Sequence, residues 1–443
     1  MQQVNFGMIG GGTVGSGVYH ALQLNQALME SRLDIKINLH KIAVKAFDEP
    51  RPYPIPREIM TTNWREVVEA PQVQVVIELA GGITVARDMV LSALKLGKPV
   101  ITANKALLSA YGEELFSTAA KHNTTIYYEA SVAGGIPIIK AVREAFIGNK
   151  ITHIYGIVNG TCNYILTKMK QEGADFAEVL SQAQKHGYAE AEPSLDVDGW
   201  DSMHKIGILA SLAHGFWVLP SKIYVEGIRN ISKLDIKFAS QLGYTIKLLG
   251  IVKRFESDKK NPGGKLNGSR VQVSVYPALV PDSHVLANVN DVFNAVFVRG
   301  DIVGDTLFYG RGAGKDATAS AVLSDIADAA LDIKNGRGRL RPFVPHEKNG
   351  KILPIGEIES QYYIRLSVID KPGVLAKISA IFGNSNISIA SVIQPEARDG
   401  ESVPLIMMIH KAPNAAMTKA LQKIEKLPVV KSKPVMIRVE TFE

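Results

Sequence analysis

Cysteine is nearly absent: Cys162 is the single one in a chain of 443 residues. One thiol excludes an internal disulfide framework and fits a reducing compartment, so a cytoplasmic location is expected. No apolar run reaches the length that crosses a bilayer, so no membrane partner is expected. The opening MQQVNFGMIGGG has no basic residue ahead of its apolar stretch and is broken by glycine, so it does not read as a signal peptide. Basic residues exceed acids only mildly, 50 against 43, for a net charge of +7. They never form a basic block, so the excess is a diffuse pull on anionic ligands and no nucleic-acid footprint. Low-complexity segments and short repeats are also missing. What is present, 46% hydrophobic and 21% charged residues, is the composition of a globular protein. Its length suffices for roughly two or three domains with ample core.

The first third reads as alternating strands and helices. Val4 to Ile9 is a short apolar strand that ends in Gly10-Gly11-Gly12-Thr13-Val14-Gly15. A helix follows through His20 to Leu28. Glycines at that spacing, after a strand and before a helix, allow a tight turn and the close approach of a pyrophosphate to amides at a helix N-terminus. Gly10, Gly12, Thr13, Val14 and Gly15 are therefore expected to hold a dinucleotide. The second strand, Ile37 to Val44, ends at Lys45 with no acid before Asp48. A cation there suits a 2′-phosphate and favours NADP over NAD; the alternative is a solvated lysine and use of both cofactors. Further strands are read at Val73 to Leu79, Pro99 to Thr102 and Thr125 to Ala130, with a helix at Thr84 to Leu96. The alternation predicts an α/β fold with a Rossmann-type, doubly wound parallel sheet. Lys105 then lies at the carboxyl end of a strand, where such sheets bind ligands.

The middle of the chain holds the stretch with the densest chemistry, AQKHGYAEAEPSLDVDGWDSMHK from Ala183 to Lys205. Glu190, Glu192, Asp196 and Asp198 precede a helix that Asp198 or Gly199 can start. Asp201 and Lys205 fall one turn apart on that helix and share a face. A carboxylate so placed can aim an ammonium as a proton donor, and the preceding acids could receive an ammonium of a small polar substrate. A surface ion pair beside an acidic loop is the plainer alternative. Around this stretch the pattern predicts strands at Ile151 to Val158, Ile246 to Lys253, Arg270 to Ala278 and Asp291 to Val298, with helices at Phe176 to His186 and Asp201 to Ala213. A mixed sheet with helices on one face is expected, its other face open to a second subunit. Phe308 to Thr318 reads as a second glycine-rich turn that opens a helix to about Asp332. Beyond a Gly-, Pro- and Arg-rich segment, β-α-β-β-α-β order predicts a ferredoxin-like module.

The spacing of Ala183, Gly187, Tyr188, Ala189, Pro193, Asp196, Val197, Gly199, Asp201 and Lys205 resembles the signature of the homoserine dehydrogenase family, with Glu192 as the one visible departure. The resemblance implies NADPH-dependent reduction of L-aspartate 4-semialdehyde to L-homoserine, on the route to threonine and methionine. It implies Lys205 as proton donor oriented by Asp201, with Lys105, in T-A-N-K-A-L, as the second active-site lysine. Glu190 and Asp196 would bind substrate beside Gly187, while Asn159, Gly160 and Thr161 would face the crevice. Gly312 would contact the cofactor. A sodium ion would sit at Glu129 and the carbonyls of Val132, Gly134 and Ile136. Asp370-Lys371-Pro372-Gly373-Val374-Leu375 with Asn386-Ile387-Ser388-Ile389 resembles an ACT domain. That likeness implies an amino-acid effector such as L-threonine near Gly373 and Ile387, and a homo-oligomer, dimer or tetramer. The expected division is 1–137 for NADP, completed by a helix at 314–333, then 138–313 for substrate and dimerisation, 334–357 as linker and 358–443 as ACT domain. Two rivals differ in chemistry. An aspartate-semialdehyde dehydrogenase needs a nucleophilic cysteine, and Cys162 has no neighbouring histidine in sequence. A non-catalytic amino-acid sensor would bind ligands without turnover.

Overall fold

Glycine at residue 10 lets the chain turn from strand to helix without a gap. The computed structural model describes residues 1–255, 269–336, 342–395 and 402–442. In it β1 (Gln2–Ile9) runs directly into α1 (Thr13–Leu33). β2 (Ile35–Ala43), β3 (Met60–Thr61), β4 (Val75–Glu78), β5 (Val100–Thr102) and β6 (Ile126–Tyr127) complete a six-stranded sheet ordered β3-β2-β1-β4-β5-β6, every pair parallel. Helices cover both faces, and the central strands β4 and β5 are accordingly buried at every position. On one face Val18 and Leu22 of α1 meet Val322 and Ile326 of a late helix, Lys315–Asn335, over Val4, Phe6 and Met8. On the other, helices Thr84–Lys95 and Lys105–Lys121 bury Val90, Leu94, Leu108 and Leu115. Strand order reverses between β1 and β4, so a crevice opens at their carboxyl ends. β6 stops before Ala130, short of the expected strand. The Glu129 N–H turns away to donate to Asp325 Oδ2 of the late helix at 2.9 Å.

A second sheet takes the rest of the chain. From edge to edge it runs Gly304–Arg311, Phe293–Gly300, Ile151–Ile157, Tyr244–Phe255, Arg270–Pro281, Val435–Val439, Glu359–Ile369, Ser402–Pro413, Ile389–Ile393. The last four strands, with helices Val374–Asn384 and Asn414–Glu425, make the ferredoxin-like module. It joins the middle of the chain through a short parallel pairing, Ala278 opposite Arg438 and Leu279 opposite Val439.

Three expectations need correction. Helices Gly160–Glu172 and Trp200–His214 cover one face of the middle sheet, but the opposite face is not left open. Tyr155, Ile157, Leu249, Ile251 and Tyr276 are packed there against Leu286, Val289 and Phe442 of the same chain. The segment from Phe308 does not begin as a turn: strand Gly304–Arg311 pairs with Phe293–Gly300 and the turn starts at Gly312. A helix at Lys233–Gln241 was overlooked, although Ser232 and Asp235 form a capping box that signals it. The expected linker is docked where it is described, with Tyr128 Oη donating to Pro342 O at 2.7 Å and Phe343 packed beside Phe116 and Trp217. Its residues 337–341 lie outside the described residues. Among the described residues no helix is long and apolar enough to cross a membrane.

Candidate active site

The first wall of the crevice is the turn after β1. A Cβ on Gly10, whose φ is +106°, would lie 2.4 Å from Leu79 O, and one on Gly15 would lie 1.9 Å from Gly10 O. Packing alone forbids side chains at both positions. A Cβ on Gly12 would meet nothing within 4 Å. Gly12 therefore keeps clear space in front of the first turn of α1, whose N-cap makes no side-chain hydrogen bond. Free amides facing open space fit a pyrophosphate, so the chain's residues suit a dinucleotide. Lys45 is exposed just beyond β2. Two further cations sit near it that the sequence did not single out: Arg51 donates to Ala46 O at 3.1 Å, and Arg57 lies 3.4 Å over the Phe47 ring.

The second wall is built from the ends of β4 and β5. Glu78 is buried and accepts from the amides of Ala80 at 2.9 Å and Gly81 at 3.2 Å, while Thr102 Oγ1 donates to it at 2.7 Å. Burial raises its pKa, against those hydrogen bonds. Thr102 Oγ1 in turn accepts from Asn104 N at 3.0 Å. Asn104 caps helix Lys105–Lys121 by accepting from Leu107 N, 3.0 Å, and donates to Gly82 O, 2.7 Å. This chain of bonds makes Lys105 the first helical residue and directs it over the crevice. The sequence reading missed Glu78; an acid closing a buried strand before Gly81-Gly82 was the available signal.

The third wall carries the charge cluster. Gly199 takes φ +88° and starts helix Trp200–His214, which buries Ile206, Ile208 and Leu209 in the core. Lys205 Nζ donates to Asp201 Oδ2 and to Val158 O, both at 2.7 Å. Lys105 Nζ lies 3.2 Å from Asp201 Oδ1. Asp201 is thus clamped between two ammonium groups, one from each domain. Burial opposes its ionisation, but Lys205 and then Lys105 outweigh that and hold its pKa well below the usual carboxylate range. Asn159 Nδ2 donates to Asp201 Oδ2 at 2.9 Å and to Asp196 Oδ1 at 2.7 Å. Asn159 caps helix Gly160–Glu172 by accepting from Cys162 N at 2.8 Å. Thr161 Oγ1 lies 2.9 Å from Asp196 Oδ2 and 2.8 Å from Tyr188 O.

Other expected residues fall into distinct positions. Asp196 accepts from Asn159 on one oxygen and Thr161 on the other, which ties it to the cluster and leaves a lone pair on each oxygen for a further donor. Glu190 is exposed, and only its carbonyl is engaged, by Gln184 Nε2 at 3.0 Å. Gly187, at φ +74°, lies in the turn after helix Phe176–Lys185. Cys162 is buried, and burial followed by the Asp196 charge raises its thiol pKa well above normal. Burial and the raised pKa both disfavour a thiolate nucleophile here, which counts against the cysteine-dependent rival. Glu129 accepts from the amides of Ile139 at 3.0 Å and Lys140 at 2.8 Å, and burial pushes its pKa up to about 7. Val132 and Ile136 flank a loop in which Ala133 has φ 54° and Gly134 φ 38°. A Cβ on Gly134 would lie 2.8 Å from Gly312 O, and one on Gly312 only 1.8 Å from Asn294 Nδ2. Gly312 therefore brings the late helix tight against the first domain. In the C-terminal module Gly373, at φ +87°, starts helix Val374–Asn384, and Ile387 is buried with its N–H donating to Phe382 O at 3.0 Å.

A dinucleotide crevice meeting a carboxylate clamped by two lysines defines the class: an NAD(P)-dependent oxidoreductase with an appended ferredoxin-like module. Comparison narrows the class. Residues 10–129 match the model described as homoserine dehydrogenase, NAD binding domain; residues 137–327 match homoserine dehydrogenase; residues 362–429 match the ACT domain. The chain is 40% identical over 446 residues to a homoserine dehydrogenase of Neisseria gonorrhoeae, covering 100% of each. It is also 40% identical to one of Synechocystis sp., covering 98% of this chain and 99% of that protein. A solved homoserine dehydrogenase from Thiobacillus denitrificans matches with a TM-score of 0.91 at 39% identity, over 100% of this chain and 99% of that one. A hyperthermophilic archaeal homoserine dehydrogenase in complex with NADPH matches 75% of this chain and 98% of its own, with a TM-score of 0.60 and 26% identity. The chain belongs to the homoserine dehydrogenase family, and its activity is that of an NAD(P)-dependent homoserine dehydrogenase.

Proposed function

We propose that the chain reduces L-aspartate 4-semialdehyde to L-homoserine, reversibly, with NADPH in the cytoplasm. Bound cofactor supplies the hydride; the residues of the chain manage charge and protons. Lys205 Nζ gives two hydrogens to Asp201 and Val158 O. Its third is left for the aldehyde oxygen as negative charge grows there. Lys105 holds the same oxygen region. Asp201 keeps both ammonium groups oriented, so a cationic pocket waits for the alkoxide without reorganisation. Glu190, on the loop tied to the site through Thr161 and Tyr188 O, receives the substrate ammonium. The observation that carries the reading is the shared Asp201, reached by Lys205 at 2.7 Å and Lys105 at 3.2 Å.

Several finer assignments belong to the same reading. Lys45, with Arg51 and Arg57 nearby, favours the 2′-phosphate of NADP. A sodium ion suits the loop at Glu129, Val132, Gly134 and Ile136. No cluster of three His, Cys, Asp or Glu ligands occurs among the described residues, so carbonyl oxygens would supply most of its shell. The ACT domain binds an amino acid, L-threonine, near Gly373 and Ile387. A second copy covers the apolar edge at Ile302, Leu307 and Tyr309, which are exposed, giving a dimer or tetramer. Residues 1–137 with the late helix hold cofactor, 138–313 substrate, and 358–443 the effector, across the 334–357 linker.

The test is an NADP-coupled assay with L-homoserine on the wild type and Lys205→Ala. Turnover should fall about 10²-fold or more while NADPH binding, read by fluorescence titration, stays unchanged. Equal turnover in the variant removes the role given to Lys205.

A further inference from the structure

We infer that Arg438, in the last strand of the C-terminal domain, is a positioning residue for the catalytic helix, acting through Glu226 and the strap of residues 224–229. The inference rests on the reading of Asp201 and Lys205 as the catalytic pair.

Arg438 is 1% exposed. Its Nη1 donates to Glu226 Oε2 and its Nη2 to Asn414 Oδ1, both at 2.9 Å. The guanidinium lies 4.6 Å from the Tyr276 ring centroid and 5.0 Å from that of Tyr224. A desolvated cation of this kind is held by its partners, and its partners are held by it. Glu226 belongs to a strap that leaves the sheet at Tyr224–Val225, beside Ser274 and Val275, and Glu226 N donates to Val275 O at 2.8 Å.

The strap's other side is pressed on the loop that launches the catalytic helix. A Cβ on Gly227 would lie 2.2 Å from Val197 O and 2.5 Å from Asp198 Cα. Ile228 N donates to Val197 O at 2.8 Å, and Arg229 pairs with Asp198 and donates to Ser194 Oγ at 2.9 Å. A Cβ on Gly199, the helix N-cap, would lie 3.1 Å from Val225 Cγ1 and 3.5 Å from Glu226 O. Contact therefore runs without a gap from Arg438 through Glu226 and Gly227 to Val197, Asp198 and Gly199, and Asp201 stands in the first turn of the helix that Gly199 starts. A displacement of about 1 Å at such a clamp costs on the order of 10²-fold in rate, so the C-terminal domain sets the catalytic geometry through this strap.

The same domain has a second buried anchor that serves as control. Arg365 binds Asp235 through Nε at 2.7 Å and Nη2 at 3.0 Å, and Tyr363 Oη donates to Asp235 at 3.1 Å. Asp235 lies in the first turn of helix Lys233–Gln241, where it completes a capping box with Ser232 and, among the described residues, makes no hydrogen bond to the segment of residues 194–199.

The experiment uses the full-length chain with Glu226→Gln, Arg438→Lys and Arg365→Lys, alongside Lys205→Ala. Each is measured for Tm, kcat, and KM for L-homoserine and NADP. Glu226→Gln should lower kcat/KM for L-homoserine about tenfold with KM for NADP unchanged, consistent with a misplaced clamp. Arg438→Lys, which keeps the charge, should do the same more weakly and covers the case in which Glu226→Gln does not fold. Arg365→Lys should lower Tm while kcat/KM stays at the wild-type value. Wild-type kcat/KM in both Glu226→Gln and Arg438→Lys, or losses at all three positions that track Tm alone, would overturn the inference. An active Lys205→Ala overturns the underlying catalytic reading. An inactive Lys205→Ala with an unaffected Glu226→Gln overturns only the role of the strap.

Discussion

At Gly10–Gly15 the constraints come from close by: the turn's own carbonyls, the adjacent strand end at Leu79, and the first turn of α1. At Asp201 they come from across the chain, from Lys105, Val158, Asn159, Asp196 and Lys205. One site is a backbone shape that almost any neighbour sequence would preserve. The other is a charge balance in which each partner is needed to keep the rest buried. The difference teaches where each fails. The turn fails by steric collision, the cluster by losing one member of a set.

Substitutions can break that contrast, and the steric collision at Gly15 should be the most severe. Gly15→Ala would push a methyl into Gly10 O and should cost about 3 kcal/mol or more, with loss of cofactor binding. Gly12→Ala meets no protein atom, so Tm should hold while KM for NADP rises roughly tenfold, because only the ligand's approach is blocked. Thermal melts beside cofactor titrations separate the two, and an equal fall in Tm would refute the assignment of Gly12 to ligand space.

Between the two glycine substitutions in size is Asp201→Asn. It should lower kcat about 10²-fold with cofactor affinity unchanged, since only the ammonium clamp is disturbed; a matched fall in cofactor affinity would show the two regions are not separable. Lys45→Ala should weaken NADPH about tenfold more than NADH, and equal KM changes for both cofactors would dismiss Lys45 as the phosphate reader. The smallest effect is on acid stability. Burial opposes ionisation of Asp201, but the two lysines hold its folded pKa below the unfolded value of 3.8. Its ionised form therefore adds stability above that unfolded value, and the contribution is lost as pH falls through the folded one. Asp201→Asn should flatten the fall of Tm below about pH 4, and an unchanged acid slope would count against the clamp.

What could be read from residues follows the same divide. Gly10, Gly12 and Gly15 were legible because sterics act locally and leave a fixed spacing. Asp201 and Lys205 were legible as one helical turn, and the family likeness then tied them to Lys105. The hold of Asn159 and Thr161 on Asp196 was not legible, because it depends on a helix start far along the chain. Glu78 went unseen because it reads as one more residue of an apolar strand. The closed second face of the middle sheet was illegible for a related reason: Leu286, Val289 and Phe442, which fill it, come from segments with no periodic pattern of their own. The end of strand Gly304–Arg311, from Phe308, was read as part of a turn because of the glycines that follow it closely.

A crystal structure of the complex with NADPH and L-homoserine would examine the ammonium clamp at its working atom. The account predicts the homoserine hydroxyl oxygen about 3 Å from Lys205 Nζ, with Asp201 still bridging Lys205 and Lys105. A hydroxyl bound elsewhere, out of hydrogen-bonding reach of Lys205 Nζ, would contradict it.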